Sequence, residues 1–382
     1  MELKRVGSPE QAGFSEARLR NALEVLLDAV EKRVFPGGVV VVGRRGELVM
    51  EQGFGALDAG DAAPRVSVDT IYDVASLTKV VVTTTLAMIL YDSGRLALDA
   101  KVRDFFPEFS GGGKEAVAVA DLLSHSSGIL WWKDLYRSVK AEWSMAEVEE
   151  WYLEQICLLP LDYRPRTKSV YSDLGIIVLG GILERASGRR LDETARDSIF
   201  VPLRMSDTCF KPPTSLKQRI APTGRSSWRD RMLVGEVHDD NAAAMGGVAP
   251  HAGLFSTGHD LAVFAQMMLN EGTLDDRRVV KRSTVELFTR RVEGIPESSR
   301  ALGWDTPSRE STAGRYFSLS SFGHLGFTGT SLWIDPVREL FVVLLTNRMS
   351  PSRDQGTING VRASFHDAVM EALAEVPPLR TA

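Results

Sequence analysis

The chain has 382 residues, of which 44% are hydrophobic and 25% charged, a composition typical of globular proteins that bury one large core or two ordinary cores. Its formal net charge of −5 argues against a nucleic-acid partner, and no apolar stretch reaches the roughly 18 residues that a membrane span needs. The N-terminus lacks the apolar segment and cleavage site of a signal peptide. We therefore expect a cytoplasmic protein, or a periplasmic or secreted one whose targeting segment has been removed.

The two ends of the chain predict one α/β layer. Ser15 is a good helix N-cap, and the apolar residues after it recur at helical spacing. Two β-rich runs follow, GGVVVVG and GELVMEQGFG, and the intervening RRG predicts a hairpin. Near the other end, RYFSLSSFGHLG, TSLWIDP and LFVVLLTN form a second β-rich group, and an amphipathic helix closes the chain.

The middle of the chain predicts mostly helices. Three apolar segments end at Gly94, Gly188 and Gly272, as is typical of helix C-termini. The third segment begins with Thr257 and Asp260 in capping-box spacing. Residues 205–250 show few periodic signals, and we expect a loop there that shapes a cleft.

Together these elements predict an α/β (α+β) fold. An antiparallel sheet is flanked by N- and C-terminal helices and carries a mainly helical inserted domain. We place the sheet-containing domain at residues 1–65 plus 300–382 and the insertion, with the cleft loops, at residues 66–299. Cys157 and Cys209 lack any C-x-x-C spacing, and we expect both to be free and buried.

The segment DVASLTKVVVTTT, residues 73–85, places Ser76 and Lys79 three residues apart at the start of a helix. Residues at this spacing share a helix face, so Lys79 could take the Ser76 proton if its pKa fell from about 10.4 to roughly 7 or 8. Burial and the positive end of the helix dipole favour such a shift. Alternatively, Ser76 is an N-cap and Lys79 a surface residue, because this short pattern also arises by chance.

Two further stretches favour the catalytic interpretation. RPRTKSVYSDLG places Tyr171 and Asp173 before a glycine-rich helix, and SFGHLGFTGTSLW places His324, Leu325 and Gly326 at a predicted strand. In this order, the three stretches resemble the S-x-x-K, Y-x-N and K-T-G or H-x-G boxes of serine β-lactamases and penicillin-binding proteins. LLSHSSGI, GRLALDAKVRDFFPEF and GGVAPHAGLFST are similar to segments of class C β-lactamase-like proteins, and the chain also resembles family VIII carboxylesterases.

The resemblance implies a role for each matching residue. Ser76 would be the nucleophile that forms an acyl-enzyme, Lys79 would help to activate it, and Tyr171 would move the proton. The backbone N–H groups of Ser76 and Phe327 would form the oxyanion hole. No metal and no organic cofactor are implied. The substrate would be bound by residues of the second and third boxes, namely Asp173, His324, Leu325 and Gly326.

Two boxes depart from the family pattern. Asp173 stands where most members have asparagine, and a carboxylate cannot donate a hydrogen bond to a substrate carbonyl. It also favours a charged Lys79, which shifts the role of general base toward Tyr171. His324 and Leu325 replace the lysine and threonine that bind the carboxylate of a penicillin, so we expect weak β-lactamase activity at most.

Other residues raise alternatives. The FTG segment, residues 327–329, is a second register for the third box that restores the threonine, but the flanking pattern favours His324. We expect His125 to tie a turn together, whereas Trp131 and Trp132 either line an acyl pocket or cover the helical domain. The polar residues that could be assembled into a metal site lack ligand-pair spacing: His238, Asp239, Asp240, His251 and His259.

Three functions remain open. The first is a serine hydrolase acting on small esters or amides, similar to the carboxylesterases of this fold, because the carboxylate anchor is lost. The second is a D-amino-acid peptidase or carboxypeptidase acting on peptidoglycan-derived peptides. The third is a non-catalytic muropeptide-binding domain, against which the retention of Ser76, Lys79 and Tyr171 argues. The expected partner is a small ester, amide or peptide, and the oligomeric state stays open.

Overall fold

The structure is a computed structural model that describes residues 3–60, 62–350 and 355–380. Its strands are β1 (Lys4–Arg5), β2 (Gly37–Arg44), β3 (Glu47–Gly55), β4 (Tyr72–Asp73), β5 (Cys209–Phe210), β6 (Gly224–Ser226), β7 (Arg231–Leu233), β8 (Leu254–Ser256), β9 (Thr273–Leu274), β10 (Arg277–Arg278), β11 (Phe322–Leu325), β12 (Ser331–Asp335) and β13 (Leu340–Thr346).

The α-helices are α1 (Glu16–Glu31), α2 (Thr85–Asp92), α3 (Val102–Phe105), α4 (Val119–Leu123), α5 (Met145–Leu158), α6 (Asp173–Ser187), α7 (Leu191–Ala195), α8 (Val201–Leu203), α9 (Asp240–Ala244), α10 (Gly258–Leu269), α11 (Arg282–Thr289) and α12 (Gln355–Glu371). Two segments are π-helical, Lys79–Thr84 and Arg196–Phe200. Short 3₁₀ helices span Pro9–Ala12, Lys114–Ala116, Leu135–Ser138 and Thr214–Arg219.

A six-stranded sheet in the order β1-β3-β2-β13-β12-β11 joins the two ends of the chain. Its strand pairs are antiparallel, except that the short edge strand β1 runs parallel to β3. Consecutive valines of β2 belong to opposite clusters: Val40 and Val42 pack on the side of α1 and α12, and Val39 and Val41 on the side of α10. This period of two buries both faces of the sheet. The predicted α/β fold, with terminal helices flanking a largely antiparallel sheet, is confirmed.

One predicted strand is shorter than expected. Residues 315–321 form turns, and β11 begins only at Phe322. The carboxylate of Asp335 accepts hydrogen bonds from Ser318 N at 2.9 Å and from Ser318 Oγ at 2.7 Å, and Ser321 N donates to Ser318 O at 3.0 Å. These bonds hold the segment in a turn, so the RYFSLS part of the prediction is wrong.

The helical middle follows the sequence pattern closely. Helix α6 ends at Ser187, and Gly188 after it has φ of 68°, the left-handed conformation that is common just past a helix C-terminus. At the predicted capping box, Thr257 Oγ1 accepts a hydrogen bond from Asp260 N at 3.2 Å. The Asp260 carboxylate instead accepts a hydrogen bond from Thr208 Oγ1 at 2.7 Å. Helix α10 lies in the segment assigned to the insertion and yet packs on the sheet, so the domain boundaries stay a prediction.

The two cysteines differ in burial. Cys157 and Cys209 are both free, but only Cys157 is buried. The expected burial of Cys209 is wrong, because this residue begins the short strand β5, where it is partly exposed. None of the helices in the described ranges is long and apolar enough to cross a membrane.

Candidate functional site

A cavity of about 630 Å³ is lined by residues from all three predicted boxes. Ser76 comes from the first box, and Tyr171 and Asp173 come from the start of α6. The third box contributes the end of β11 and the turn after it, namely His324, Leu325, Gly326 and Phe327. The structure thus brings together residues that lie far apart in the sequence, while their catalytic roles stay predictions.

Ser76 follows a residue with an unusual backbone conformation. Ala75 has φ of 47°, in the left-handed region that costs a non-glycine residue about 1–3 kcal/mol. Two contacts hold it there: Ala75 N donates to Asp73 Oδ1 at 2.9 Å, and Ala75 O accepts from Thr78 Oγ1 at 2.6 Å. The chain therefore turns sharply from β4 into the helix that carries Lys79.

Lys79 is buried, with 1% of its surface exposed, and lies beside Ser76 as the i, i+3 spacing predicts. Its Nζ donates to Ser76 Oγ at 3.0 Å and to the backbone carbonyl of His251 at 2.7 Å. An ion pair at 2.7 Å joins the same Nζ to Asp173 Oδ1. The alternative of Lys79 as a surface residue is wrong.

The charge state of Lys79 follows the expectation drawn from Asp173. Burial lowers the pKa of Lys79, but Asp173 and Tyr171 raise it, and the pKa lies above its ordinary value. The pKa therefore does not fall toward 7 or 8, because the half-buried carboxylate of Asp173 stabilises the ammonium form. Burial also raises the pKa of Tyr171, and although the Lys79 charge lowers it, the net pKa lies above 10.0. An ammonium and a phenol are the resting forms.

Tyr171 lies between two buried histidines. Its ring centroid is 4.6 Å from that of His125 and 5.8 Å from that of His324. His125 does tie a turn, because its Nδ1 accepts from Ser172 N at 3.1 Å and its carbonyl from Val170 N at 2.9 Å. The packing of His125 on Tyr171 was not foreseen. In the sequence, the only indication of a role for His125 near the site was its position in the LLSHSSGI stretch.

Both histidines are neutral. Burial, followed by the charges of Arg300 and Lys79, lowers the pKa of His125 and of His324 well below 6.5. His324 Nδ1 lies 2.8 Å from Leu325 O, and because a carbonyl can only accept, Nδ1 carries the proton. His324 therefore brings no positive charge to the third box, unlike the lysine of the family pattern.

Two arginines donate hydrogen bonds to backbone carbonyls of the turn after β11. Arg362 is buried and donates to Gly326 O at 2.9 Å and to Thr330 O at 2.7 Å, and Arg348 Nε donates to Phe327 O at 2.6 Å. A Cβ on Gly326 would lie 1.9 Å from Thr330 Oγ1, so only glycine fits there. These arginines were not singled out in the sequence, where they carry no motif.

This turn orients a backbone donor. In a planar trans peptide the N–H points opposite to the C=O, so the Phe327 N–H points away from Arg362. The Ser76 N–H likewise points away from Thr78, which binds the carbonyl of Ala75. In the described part of the chain, neither N–H donates a hydrogen bond to another group. Both donors are available, as an oxyanion hole requires.

Contacts and exposure bear on the remaining alternatives. Thr328 Oγ1 donates to Asp73 O at 2.7 Å, so its hydroxyl supports the turn, which favours the His324 register. Trp131 and Trp132 line the cavity, and Trp131 is 56% exposed. Among the residues that the structure describes, no group of three or more His, Cys, Asp or Glu side chains could hold a metal ion.

Two acids, Asp73 and Asp239, also line the cavity. His251 Nε2 lies 2.9 Å from Asp239 Oδ1. Burial raises the pKa of Asp239, but His251, the Ala242 N–H and the Lys79 charge together lower it to about 2. Burial raises the pKa of Asp73 to about 6, although the N–H groups of His238 and Ala75 lower it. Their bonds show that these acids order the loops of residues 237–251.

Known proteins match nearly the whole chain. The Beta-lactamase family model matches residues 20–366. The "N-acetylmuramyl-L-alanine amidase" of Bacillus subtilis is 31% identical over 373 residues, which cover 90% of this chain and 84% of that protein. The "Putative D-alanyl-D-alanine carboxypeptidase" of Escherichia coli is 31% identical over 370 residues, or 89% and 85% of the two chains. The structure of a penicillin-binding protein homologue from Caulobacter crescentus superposes with a TM-score of 0.74 at 24% identity, covering 94% of this chain and 99% of that chain.

Proposed function

The chain belongs to the Beta-lactamase family of serine hydrolases, and from this premise we propose that Ser76, Lys79 and Tyr171 form its catalytic centre. The observation that carries the proposal is the contact of buried Lys79 Nζ with Ser76 Oγ at 3.0 Å, beside the cavity that Tyr171 also lines. Such a neighbour is needed because a serine hydroxyl is a weak nucleophile.

In the proposed acylation, Ser76 Oγ attacks the carbonyl carbon of an amide. Because Lys79 rests as an ammonium and Tyr171 as a phenol, this pair first loses one proton to solvent and then acts as the base. The base takes the Ser76 proton and Tyr171 passes it to the leaving nitrogen as the C–N bond breaks. The Ser76 and Phe327 N–H groups stabilise the oxyanion of the intermediate.

Deacylation reverses the roles. Water attacks the acyl ester on Ser76 and gives a proton to the same base. The proton then returns to Ser76 Oγ as the C–O bond of the ester breaks. One carboxylic acid leaves, and the free serine hydroxyl is restored.

We propose an amide of a small peptidoglycan-derived peptide as the substrate. Two relatives that match about nine tenths of this chain carry names that denote cleavage of such amides. The cavity of about 630 Å³ lies in the size range of small-ligand sites. A second candidate is a small ester, which Leu325 favours because it offers no hydroxyl to a peptide carboxylate and adds apolar surface to the cavity that Trp131 also lines.

A substrate panel separates these candidates. The wild-type protein would be assayed with N-acetylmuramyl-L-alanine, acetyl-D-alanyl-D-alanine, 4-nitrophenyl acetate and nitrocefin. We expect cleavage of at least one of the two amides, with a higher kcat/KM than for nitrocefin. Turnover of the ester without any amide would establish the second candidate. The highest kcat/KM for nitrocefin would overturn both.

Asp173→Asn is expected to move the pH profile of kcat/KM to lower pH. The Asp173 charge raises the pKa of both Lys79 and Tyr171, so its removal lowers the pH at which the pair loses its proton. The wild-type rate should rise through alkaline pH, and the variant should reach its plateau earlier. Asp134→Asn, which changes an exposed acid paired with Arg137, serves as the control. An unshifted profile in Asp173→Asn would contradict the assigned base.

A further inference from the structure

Arg300 brings a positive charge into the cavity beside the proposed proton donor. Its guanidinium carbon lies 5.2 Å from the centroid of the Tyr171 ring, within the range of a cation–π contact. The side chain lines the same cavity as Ser76 and is half-buried. No motif marked this residue in the sequence.

No acid of the described residues neutralises this charge. The Arg300 guanidinium has no carboxylate within ion-pair distance and makes no hydrogen bond to the described parts of the chain. Asp305, which also lines the cavity, uses Oδ1 to accept from Ser299 Oγ at 2.6 Å and from Thr306 N at 3.0 Å. By contrast, the Lys79 charge is compensated by Asp173 at 2.7 Å. Arg300 is thus the uncompensated cation of this wall.

The neighbours of Arg300 favour an anionic ligand. His125 and His324 are neutral, and the Arg300 charge contributes to keeping them so. His324 Nε2 is buried and has no hydrogen-bond partner among the described residues. A planar guanidinium is suited to bidentate binding of a carboxylate, and the binding is strengthened where water is partly excluded.

We propose that Arg300 binds a carboxylate carried by the leaving group of the substrate. The inference rests on the proposed function, in which Tyr171 gives its proton to the leaving nitrogen. A carboxylate carbon two bonds from that nitrogen, as in an amino-acid leaving group, lies on the Tyr171 side, where Arg300 stands. Arg300 then supplies the anion contact that His324 and Leu325 cannot provide. The substrate class is an amide whose amine product is an amino acid with a free carboxylate.

Matched substrates that differ only in this carboxylate test the proposal. One pair is N-acetylmuramyl-L-alanine and its C-terminal amide, and another is acetyl-D-alanyl-D-alanine and its amide. A third pair, acetoxyacetate and acetoxyacetamide, consists of esters in which the carboxylate or carboxamide carbon is likewise two bonds from the leaving oxygen, and it reports on Ser76 acylation even where an amide is slow. The readout is the ratio of kcat/KM for the acid to kcat/KM for the amide of each pair.

For the wild type we expect an acid-to-amide ratio of about 10- to 100-fold in at least one pair, as a charge-assisted contact provides. Arg300→Met should bring this ratio near one, and Arg300→Lys should retain part of it. Arg290→Met removes an exposed arginine ten residues away and should keep the wild-type ratio. If Arg300→Met does not fold, its thermal unfolding curve will show this. The acid-to-amide ratio of the wild type is then compared with that of Arg300→Lys.

The two proposals fail in distinguishable ways. Ser76-dependent hydrolysis with the same ratio in wild type, Arg300→Met and Arg300→Lys would overturn the role of Arg300 and leave the catalytic centre standing. A wild-type ratio of one or below in all three pairs would do the same. Hydrolysis of none of the substrates, or hydrolysis that persists in Ser76→Ala, would overturn the proposed function and this inference with it.

Discussion

Ser76→Ala is expected to lower kcat/KM for the preferred amide by roughly 10⁴- to 10⁶-fold, which is the scale of losing a nucleophile that acts together with its base. Among the described residues, this change removes the hydrogen bond from Lys79 Nζ to Ser76 Oγ at 3.0 Å. Lys79 keeps its ion pair with Asp173 and its bond to His251 O, so the fold should be preserved. Steady-state kinetics and thermal unfolding of the same preparation measure both effects.

Ser93→Ala provides the matched control for this change. Ser93 directly follows α2, which continues the π-helical segment that carries Lys79. Its Oγ donates to Leu90 O at 3.0 Å, and the residue does not line the cavity. We expect an activity within a few-fold of the wild type for this variant. A similar loss in both variants would point to damage to the helix and would contradict the role of Ser76 as nucleophile.

Tyr171→Phe is expected to lower kcat/KM for an amide by roughly 10²- to 10⁴-fold, the usual contribution of a positioned acid or base. The loss should be smaller for 4-nitrophenyl acetate, because nitrophenolate leaves without gaining a proton. The Lys79 ammonium lies 4.9 Å from the ring centroid, and phenylalanine preserves this cation–π contact. The difference between the loss of kcat/KM for the amide and the loss for the ester therefore measures the contribution of the Tyr171 hydroxyl as a proton donor.

Tyr163→Phe is the corresponding control, because it removes a hydroxyl from the same neighbourhood. Tyr163 Oη donates to His125 O at 3.1 Å, and the residue does not line the cavity. Removing this hydroxyl should lower the free energy of unfolding by roughly 1 kcal/mol, the contribution of one hydrogen bond. The ratio of kcat/KM for the amide to kcat/KM for the ester should change little. Equal losses for amide and ester in Tyr171→Phe would mean that Tyr171 does not protonate the leaving group.

Local patterns and the family resemblance together predicted much of this site. The spacing of Ser76 and Lys79 predicts their contact because a helix sets the geometry between residues three apart. Tyr171, Asp173 and His324 were singled out by the resemblance of their boxes, and they lie at the start of the predicted helix and on the predicted strand. In each case the residue lies within or beside a regular element, whose geometry is the same in every protein.

Features that depend on distant contacts leave little local signal. The direction of the Lys79 pKa follows from the charge of Asp173, 94 positions away in the chain, and it was expected only because the family resemblance places the two residues in one site; the helix position alone indicated the opposite direction. The backbone of Arg300 pairs with that of Asp305 in an isolated bridge, and Asp305 pairs in turn with Gly323. These pairings hold Arg300 at the cavity wall. Arg362 supports the turn after β11 from helix α12, 36 positions further along the chain. Neither Arg300 nor Arg362 carries a local pattern.

The most direct test is to trap the acyl-enzyme with the substrate itself. The protein would be mixed with the amide that gives the highest kcat/KM, quenched in acid after a few milliseconds and digested for peptide mass mapping. We predict that the mass of the acyl group appears on the peptide that contains Ser76 and is absent from Ser76→Ala. An adduct on another residue, or a peptide map without any adduct while Ser76→Ala still turns over substrate, would contradict the account.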